Sequence, residues 1–224
     1  MLRLGALDWR ALGGRSKSRS RAITVFLVES DPGEARVLSR SLRMAGYEVR
    51  TFLSSRDFLA EHDFATPGCA VLNFAMPGLS GLELQSVLAT PGNRRLVIFM
   101  SRHAEVSSSV EAMKRGAVDF LTKPVDEREL LAAVRCAVEL DRQMRESRAA
   151  LRSIGDRLAT LSPRELEVFH HVVDGHRNKQ IAGRLGTVEK TIKVHRSSVM
   201  KKMGARSLPD LVRMAVQAET AAGQ

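Results

Sequence analysis

The feature that most restricts the fold is an alternation, from residue 23 to about residue 140, of short apolar runs with amphipathic stretches. Runs of this length are typical of strands buried on both faces, and the stretches between them have helical periodicity. Buried strands separated by helices form a doubly wound parallel sheet, so this region is predicted to be an α/β domain. The predicted strands are Ile23–Val28, Tyr47–Phe52, Cys69–Phe74, Leu96–Met100 and Ala117–Leu121, with helices near 32–45, 55–62, 81–90 and 104–115 and from Asp126.

Polar residues follow the carboxyl ends of four of these strands. In a parallel sheet the crevice beyond those ends is the usual functional site. The residues are Glu29, Ser30 and Asp31 after the first strand, Asn73 after the third, Ser101 after the fourth and Lys123 after the fifth. The stretch "CAVLNFAMPGLSGLEL" therefore places an amide, Asn73, at the middle of the predicted crevice.

The rest of the chain is predicted to be helical. Residues 141–159 continue the helix that starts near Asp126 and are predicted to be an interdomain linker, although their leucine spacing would also fit a dimer seam. In residues 160–224, Ser162-Pro163-Arg164-Glu165 is a helix start with a hydroxyl cap, and a second helix starts at Asn178. Two short helices joined by a glycine-containing turn predict a helix-turn-helix.

The third helix of this segment, "TVEKTIKVHRSSVMKKMG", has two distinct sides. Ile192, Val199 and Met203 form an apolar side, and cations with small residues lie on or near the other. Such a helix suits the major groove of DNA, where cations neutralise phosphates and short side chains approach base edges. The exposed side is predicted to contain Lys190, Lys193, Val194, Ser197 and Lys201.

Net charge supports this division of the chain. The total is +10, but residues 23–146 carry −2, residues 147–224 carry +7 and residues 1–22 carry +5. The basic C-terminal domain is therefore predicted to meet a polyanion, most simply nucleic acid, and the helix-turn-helix makes double-stranded DNA the expected partner. Residues 1–22 are predicted to be a disordered basic tail. No apolar run approaches the roughly 20 residues that span a bilayer, so a cytoplasmic protein without a membrane partner is expected. Cys69 and Cys136 are expected to be reduced thiols.

Residues 160 to about 212 closely resemble the LuxR-type helix-turn-helix. The matching positions are Pro163, Arg164, Glu165, Glu167, Gly175, Asn178, Lys179, Ile181, Ala182, Leu185, Thr191, Lys193, His195, Lys202 and Ser207. The resemblance implies four helices, of which the last, near Leu208–Val216, can pair with a second copy on an inverted repeat. It also implies base contacts from Lys193, Val194 and Ser197 and phosphate contacts from Lys190, Thr191, Arg196 and Lys201. Ser197 stands where many relatives have a longer polar side chain.

Residues 23–140 resemble a CheY-type receiver with a flavodoxin-like fold, and the whole chain resembles the FixJ/LuxR-type response regulators. The motifs "MPGLSGLEL" and "GAVDFLTKP" carry the likeness, and Ser101, Phe120 and Lys123 match the family's functional positions. The resemblance implies two adjacent acidic residues after the first strand and a phosphoacceptor aspartate after the third. Here Glu29 and Ser30 replace the pair, with Asp31 one step beyond, and Asn73 replaces the acceptor.

These replacements predict a receiver that works without phosphorylation. A carboxamide is a poor nucleophile and cannot form an acyl phosphate, and Mg²⁺ prefers charged oxygen ligands. Because Lys123 then has a neutral neighbour, a Lys123–Glu29 contact is expected. The open alternatives are phosphorylation at another residue, such as Ser30 or Ser101, an engineered Asp-to-Asn change, and a vestigial receiver that only keeps the chain soluble.

Two non-enzymatic functions fit the sequence. One is a transcription factor that binds inverted-repeat DNA as a homodimer, with the receiver as a fixed dimerisation or docking module. The other is a modulator that forms heterodimers with another regulator, or responds to a ligand or a protein such as a sensor kinase. No nucleophile–base pair indicates an enzyme and no cofactor is expected. His170, His171, His176 and His195 lack an i, i+4 pair on one helix, so packing or capping is predicted for them rather than metal binding.

Overall fold

The two halves of the chain fold as separate units. The structure, a computed structural model, describes residues 23–90, 93–102 and 106–222. The units divide between Arg145 and Glu146, inside one long helix. The predicted basic tail, residues 1–22, lies outside the described residues. No described helix is both long and apolar enough to span a membrane.

The first unit is built on a five-stranded parallel sheet. Its strand order is β2-β1-β3-β6-β7, which confirms the predicted doubly wound fold. The strands are β1 (Thr24–Val28), β2 (Glu48–Phe52), β3 (Gly68–Asn73), β6 (Leu96–Ser101) and β7 (Asp119–Thr122), and a short antiparallel pair, β4 (Ala89–Thr90) and β5 (Asn93–Arg94), stands apart. The helices are α1 (Pro32–Met44), α2 (Ser55–Glu61), α3 (Gly81–Leu88), α4 (Val106–Lys114) and the start of α5 (Glu127–Leu158).

Side chains alternate along the central strands and fill two cores. Val25 and Leu27 of β1 pack on one face of the sheet, in a cluster that includes Leu42 of α1 and Leu130 of α5. Phe26 and Val28 pack on the other face, with residues of α2, α3 and α4. Because both faces are covered, the central strands are apolar throughout, and only their carboxyl ends are free to present polar groups.

The segment that enters β3 is fixed by buried charges. Arg95, which is 2% exposed, donates to the carbonyl oxygens of Asp63, Thr66 and Gly68 at 2.7–2.9 Å. Asp141 of α5 accepts from the Gly68 amide at 2.9 Å and pairs with Arg145 at 2.7 Å. Residues 141–145, which the sequence assigns to the linker, therefore pack on the sheet unit.

The burial of His62 predicts that the sheet unit is sensitive to acid. Its ring lies against Phe26, Phe58 and Phe64 at 4.5–5.2 Å, and neither ring nitrogen has a hydrogen-bond partner among the described residues. Burial, reinforced by the charge of Arg95, lowers the pKa of His62 to about 4. The unfolded chain therefore binds more protons between pH 6.5 and 4, and stability falls as the pH falls through that window.

We expect the sheet unit to lose about 1–2 kcal/mol of unfolding free energy between pH 7.5 and pH 5 from this residue. The His62→Phe variant keeps the aromatic packing and removes the titrating group. Its urea midpoint should therefore depend less on pH than that of the native chain. Equal pH dependence in the two proteins would mean that His62 does not control acid stability.

The second unit is a helical domain. It contains α6 (Pro163–Val173), α7 (Asn178–Arg184), α8 (Glu189–Met203) and α9 (Leu208–Ala222), which agree with the four predicted helices. Its core includes Phe169 of α6, Ile181 of α7, Ile192 of α8 and Leu211 of α9. Ile154 and Leu158 of α5 join this core, so the predicted linker residues divide their packing between the two units.

A buried carboxylate fixes the start of α6. Ser162 and Glu165 form the predicted capping box, and Glu165 also accepts from Lys202 Nζ of α8 at 2.6 Å. The Lys202 contact, together with the Ser162 amide, lowers the pKa of Glu165 to about 2. Lys202 therefore ties α6 to α8 and is engaged within the domain.

Candidate regulatory pocket and DNA-binding surface

A cavity of about 630 Å³ lies at the carboxyl edge of the parallel sheet. It collects residues from the ends of β1, β3, β6 and β7, as expected for a parallel sheet. The predicted site residues Glu29, Ser30, Asp31, Asn73, Ser101 and Lys123 all line it. The structure therefore brings these six residues together at one edge of the sheet.

Asn73 is a hydrogen-bonding partner of Glu29. Its Nδ2 donates to Glu29 Oε1 at 2.9 Å and to Ser30 Oγ at 3.4 Å, and its Oδ1 accepts from the Ala75 amide at 3.3 Å. Both residues are buried, with Glu29 at 1% and Asn73 at 8% exposure. An amide suits this place because it can donate to a carboxylate, whereas an ionised carboxylate cannot.

Lys123 lies between two carboxylates. Its Nζ is 2.5 Å from Glu29 Oε2, which is the expected contact, and 2.6 Å from Glu34 Oε2. The lysine side chain is only 6% exposed. The positive charge of Lys123 is thus neutralised by Glu29 and Glu34, and Glu29 also accepts a hydrogen bond from Asn73.

Glu34 and Arg102 complete this network and were not predicted from the sequence. Arg102 forms an ion pair with Glu34 Oε1, so the Glu34 carboxylate bridges Lys123 and Arg102. The hydrogen bonds from Lys123 and then Arg102 lower the pKa of Glu34. Glu34 is in the first turn of α1, which begins shortly after β1 ends. This position, near the carboxyl edge of the sheet, is the feature of the sequence that could have indicated a place at the pocket. We call Glu29, Glu34, Asn73, Lys123 and Arg102 the pocket network.

Asp31 has a local structural role. It is the N-cap of α1 and accepts from the amides of Gly33 at 2.7 Å and Glu34 at 3.0 Å. These backbone hydrogen bonds lower the pKa of Asp31. Its carboxylate is therefore committed to the helix end, and Glu29 accepts from the Asp31 amide at 3.1 Å.

Phe120 lies beside the pocket in an aromatic cluster. Its ring centroid is 5.3 Å from that of Phe74 and 6.1 Å from that of Phe99. Phe120 is partly buried against the core that contains Phe99. Phe120, which matches one of the family's functional positions, thus packs on Phe74, just after β3, and on Phe99 of the neighbouring strand β6.

In the helical domain, α8 has the two sides that the sequence predicts. Ile192, Val199 and Met203 are buried in the core. Lys190, Lys193, Val194, Ser197 and Lys201 are exposed, and Val194 is 61% exposed although it is apolar. The exposed set defines what we call the α8 face.

Two of the predicted DNA-contact residues, Arg196 and Thr191, are less exposed than the α8 face. Arg196 is half-buried and its Nη1 donates to Asn178 Oδ1 of α7 at 3.0 Å, while Thr191 is also half-buried. Lys193 Nζ lies 3.6 Å from Glu189, one helical turn earlier, on an exposed surface. Such exposed pairs contribute little free energy, so Lys193 can exchange this partner for another anion.

Comparison with known proteins assigns a family to each of the two domains. Residues 25–135 match the response regulator receiver domain, and residues 159–215 match the luxR family of bacterial regulatory proteins. Nodulation protein W of Bradyrhizobium diazoefficiens is 44% identical over 94% of this chain and 92% of its own length. The chain is a FixJ/LuxR-type response regulator.

Other FixJ-like regulators are similar over most of their length. The transcriptional regulatory protein FixJ of Azorhizobium caulinodans is 40% identical, over 89% of this chain and 95% of its own. The solved structure of the response regulator StyR is 38% identical, with a TM-score of 0.80, and the match covers 88% of this chain and 99% of that one. This regulator is accordingly a transcriptional response regulator, with a receiver and a LuxR-type DNA-binding domain.

Proposed function

We propose that this regulator binds inverted-repeat promoter DNA as a homodimer and that its receiver acts without phosphorylation. The observation that carries the second part is the pocket network. Lys123, which the family resemblance assigns to the phosphoryl group, is held by Glu29 and Glu34. Asn73, at the assigned acceptor position, has its amide donating to Glu29.

Chemistry at this pocket supports the proposal. The Asn73 amide has no nucleophilic oxygen equivalent to a carboxylate, so it forms no acyl phosphate. Glu29 is engaged with Lys123 and Asn73, and Asp31 with the start of α1, so few charged oxygens are left for Mg²⁺. A phosphoryl dianion would also meet the charges of Glu29 and Glu34 at Lys123.

The α8 face supports DNA binding. Lys193, Val194 and Ser197 are exposed within five residues of one helix, as residues that reach base edges must be. Lys190 and Lys201 flank them and are placed to neutralise phosphates. Arg196 and Thr191 remain proposed phosphate contacts, and Arg196 would have to extend from its Asn178 partner.

Helix α9 supports dimerisation on DNA. Leu211, Ala215 and Ala218 face the core, while Val216 is 42% exposed on the other side of the helix. An exposed apolar residue at the helix that the resemblance assigns to pairing fits contact with a second copy.

A second candidate function is a modulator that answers to a ligand or a protein partner, including another regulator or a sensor kinase. The observation that favours it is the open cavity of about 630 Å³, which retains polar groups although the phosphorylation chemistry is lost. Operator-library selection with the purified chain separates the two functions. Tight, specific binding without a partner supports the first, and only weak unspecific binding supports the second.

The salt dependence of binding tests the assigned phosphate contacts. Replacing Lys190 and Lys201 by alanine should reduce the slope of log K against log salt by about 2. Affinity should fall to a similar extent on selected and unrelated DNA, because phosphate contacts carry no sequence information. The matched control is Lys114→Ala, a lysine of α4 in the receiver, which should leave the slope unchanged. An unchanged slope in the double variant would place the phosphate contacts elsewhere.

A further inference from the structure

We propose that His171, Asp174 and His176 form a binding site for Zn²⁺ or a similar borderline divalent metal in the DNA-binding domain. His171 is in the last turn of α6, Asp174 is the C-cap of that helix, and His176 lies in the turn before α7. One ligand atom from each of the three side chains lies within 4.8 Å of the other two. The function proposed above does not use these residues.

The distances are close to those of a metal site. Around Zn²⁺, tetrahedral ligands at 2.0–2.2 Å stand about 3.3 Å from one another. The three side chains therefore need to converge by about 1–2 Å, which small changes of side-chain torsion angle supply. Two imidazoles and one carboxylate are a usual ligand set for zinc, and three protein ligands leave a fourth position for water.

The hydrogen bonds of the histidines leave nitrogens available. His176 Nδ1 lies 3.2 Å from the carbonyl oxygen of His171, and a donor at Nδ1 leaves Nε2 with a lone pair. Backbone carbonyls orient metal-ligating imidazoles in this way. His171 Nδ1 is buried and has no hydrogen-bond partner among the residues that the structure describes. A buried imidazole nitrogen left unpaired is unfavourable, and rearrangement of the ring around a metal would relieve it.

The place in the fold favours a cation. The site lies at the carboxyl end of α6, where the helix dipole is negative. The Asp174 side chain is exposed, with no hydrogen bond or ion pair in the parts of the chain that the structure covers, so it can turn toward the two rings. Gly175, with φ of +81°, makes the tight turn that brings His176 back toward His171.

Bound metal would join the end of α6 to the turn that leads into α7. Asn178, two residues beyond His176, accepts from Arg196 of α8. The metal would therefore stabilise the turn before α7, and the Asn178–Arg196 hydrogen bond connects this turn to α8. The sequence pattern does not point to such a site, because the two histidines are five residues apart across a turn, not four apart on one helix.

Calorimetric titration of the full chain with ZnCl₂, after removal of metal by a chelator, tests the proposal. We expect one saturable equivalent, and the His171→Gln and His176→Gln variants should each weaken binding at least about tenfold. The matched control is His195→Gln, a histidine of α8 outside the cluster, which should bind as the native chain does.

Two further measurements guard against misfolded variants. The circular dichroism of each variant should match that of the native chain. With Co²⁺ as probe, the native chain and His195→Gln should show visible absorption bands of a four-coordinate site, and His176→Gln should not. Absence of saturable binding in the native chain, or unchanged affinity in both His171→Gln and His176→Gln, would overturn the proposal.

Discussion

Replacing Lys123 by methionine should destabilise the receiver by about 3–5 kcal/mol, which is the usual result of leaving a buried charge without its partner. Glu29 is 1% exposed, and the substitution removes the Lys123 ammonium that lies 2.5 Å from its Oε2. Methionine matches the apolar stem of the lysine as far as Cε, so lost packing contributes little. Hydrogen exchange of the β1 and β3 amides measures the effect, since these strands report on the receiver alone.

The double variant Lys123→Met, Glu29→Gln provides the control. Glutamine keeps the shape of Glu29 and removes the charge that methionine leaves unpaired, so a good part of the lost stability should return. Asn73 can still donate to the glutamine side-chain oxygen. If the double variant is as unstable as the sum of the single variants, the pair is not energetically coupled.

Replacing Asn73 by aspartate should also destabilise the receiver, by about 3 kcal/mol in the absence of divalent metal. The change removes the hydrogen bond to Glu29 Oε1 at 2.9 Å and puts a second carboxylate in its place. Two carboxylates at one sheet edge attract a hard cation, so millimolar Mg²⁺ should restore most of the lost stability. Thermal unfolding with and without Mg²⁺ measures both effects.

The comparison between proteins makes this test specific. The native chain should show little Mg²⁺ dependence of its unfolding temperature, and Ser80→Asp, which adds a carboxylate at the cap of α3, should also show little. A native chain stabilised by Mg²⁺ as strongly as Asn73→Asp would mean that its pocket already holds the metal and that the loss of charge at residue 73 is compensated.

Much of the receiver could be predicted because its strands are buried on both faces. The apolar run Cys69–Leu72 is short and is followed by a Met-Pro-Gly turn, which favours a buried strand over a helix. The observed strand, Gly68–Asn73, differs from the predicted Cys69–Phe74 by one residue at each end. The contact between Lys123 and Glu29 could also be predicted, because both follow strands whose carboxyl ends meet at one edge. A long lysine side chain can reach the carboxylate from the end of β7.

The features that were missed depend on local geometry rather than on periodicity. Glu34 appears in the sequence as an ordinary acidic residue of a first helical turn, and only the direction of α1 brings it to Lys123. The two-residue strands β4 and β5 are too short to show any alternation. The sequence predicts that residues 141–159 continue the helix from Asp126, but it places the start of the linker at residue 141, whereas the units divide after Arg145. No break in the sequence marks where the packing of the helix passes from one unit to the other.

We propose that phosphorylation does not control this regulator. The most direct test is a titration of its selected DNA site by the full chain, with and without a small phosphodonor and Mg²⁺. The pocket network, with Lys123 held by Glu29 and Glu34, predicts the same dissociation constant in both conditions. A large gain in affinity with the donor would contradict the claim, because another residue would then accept the phosphoryl group.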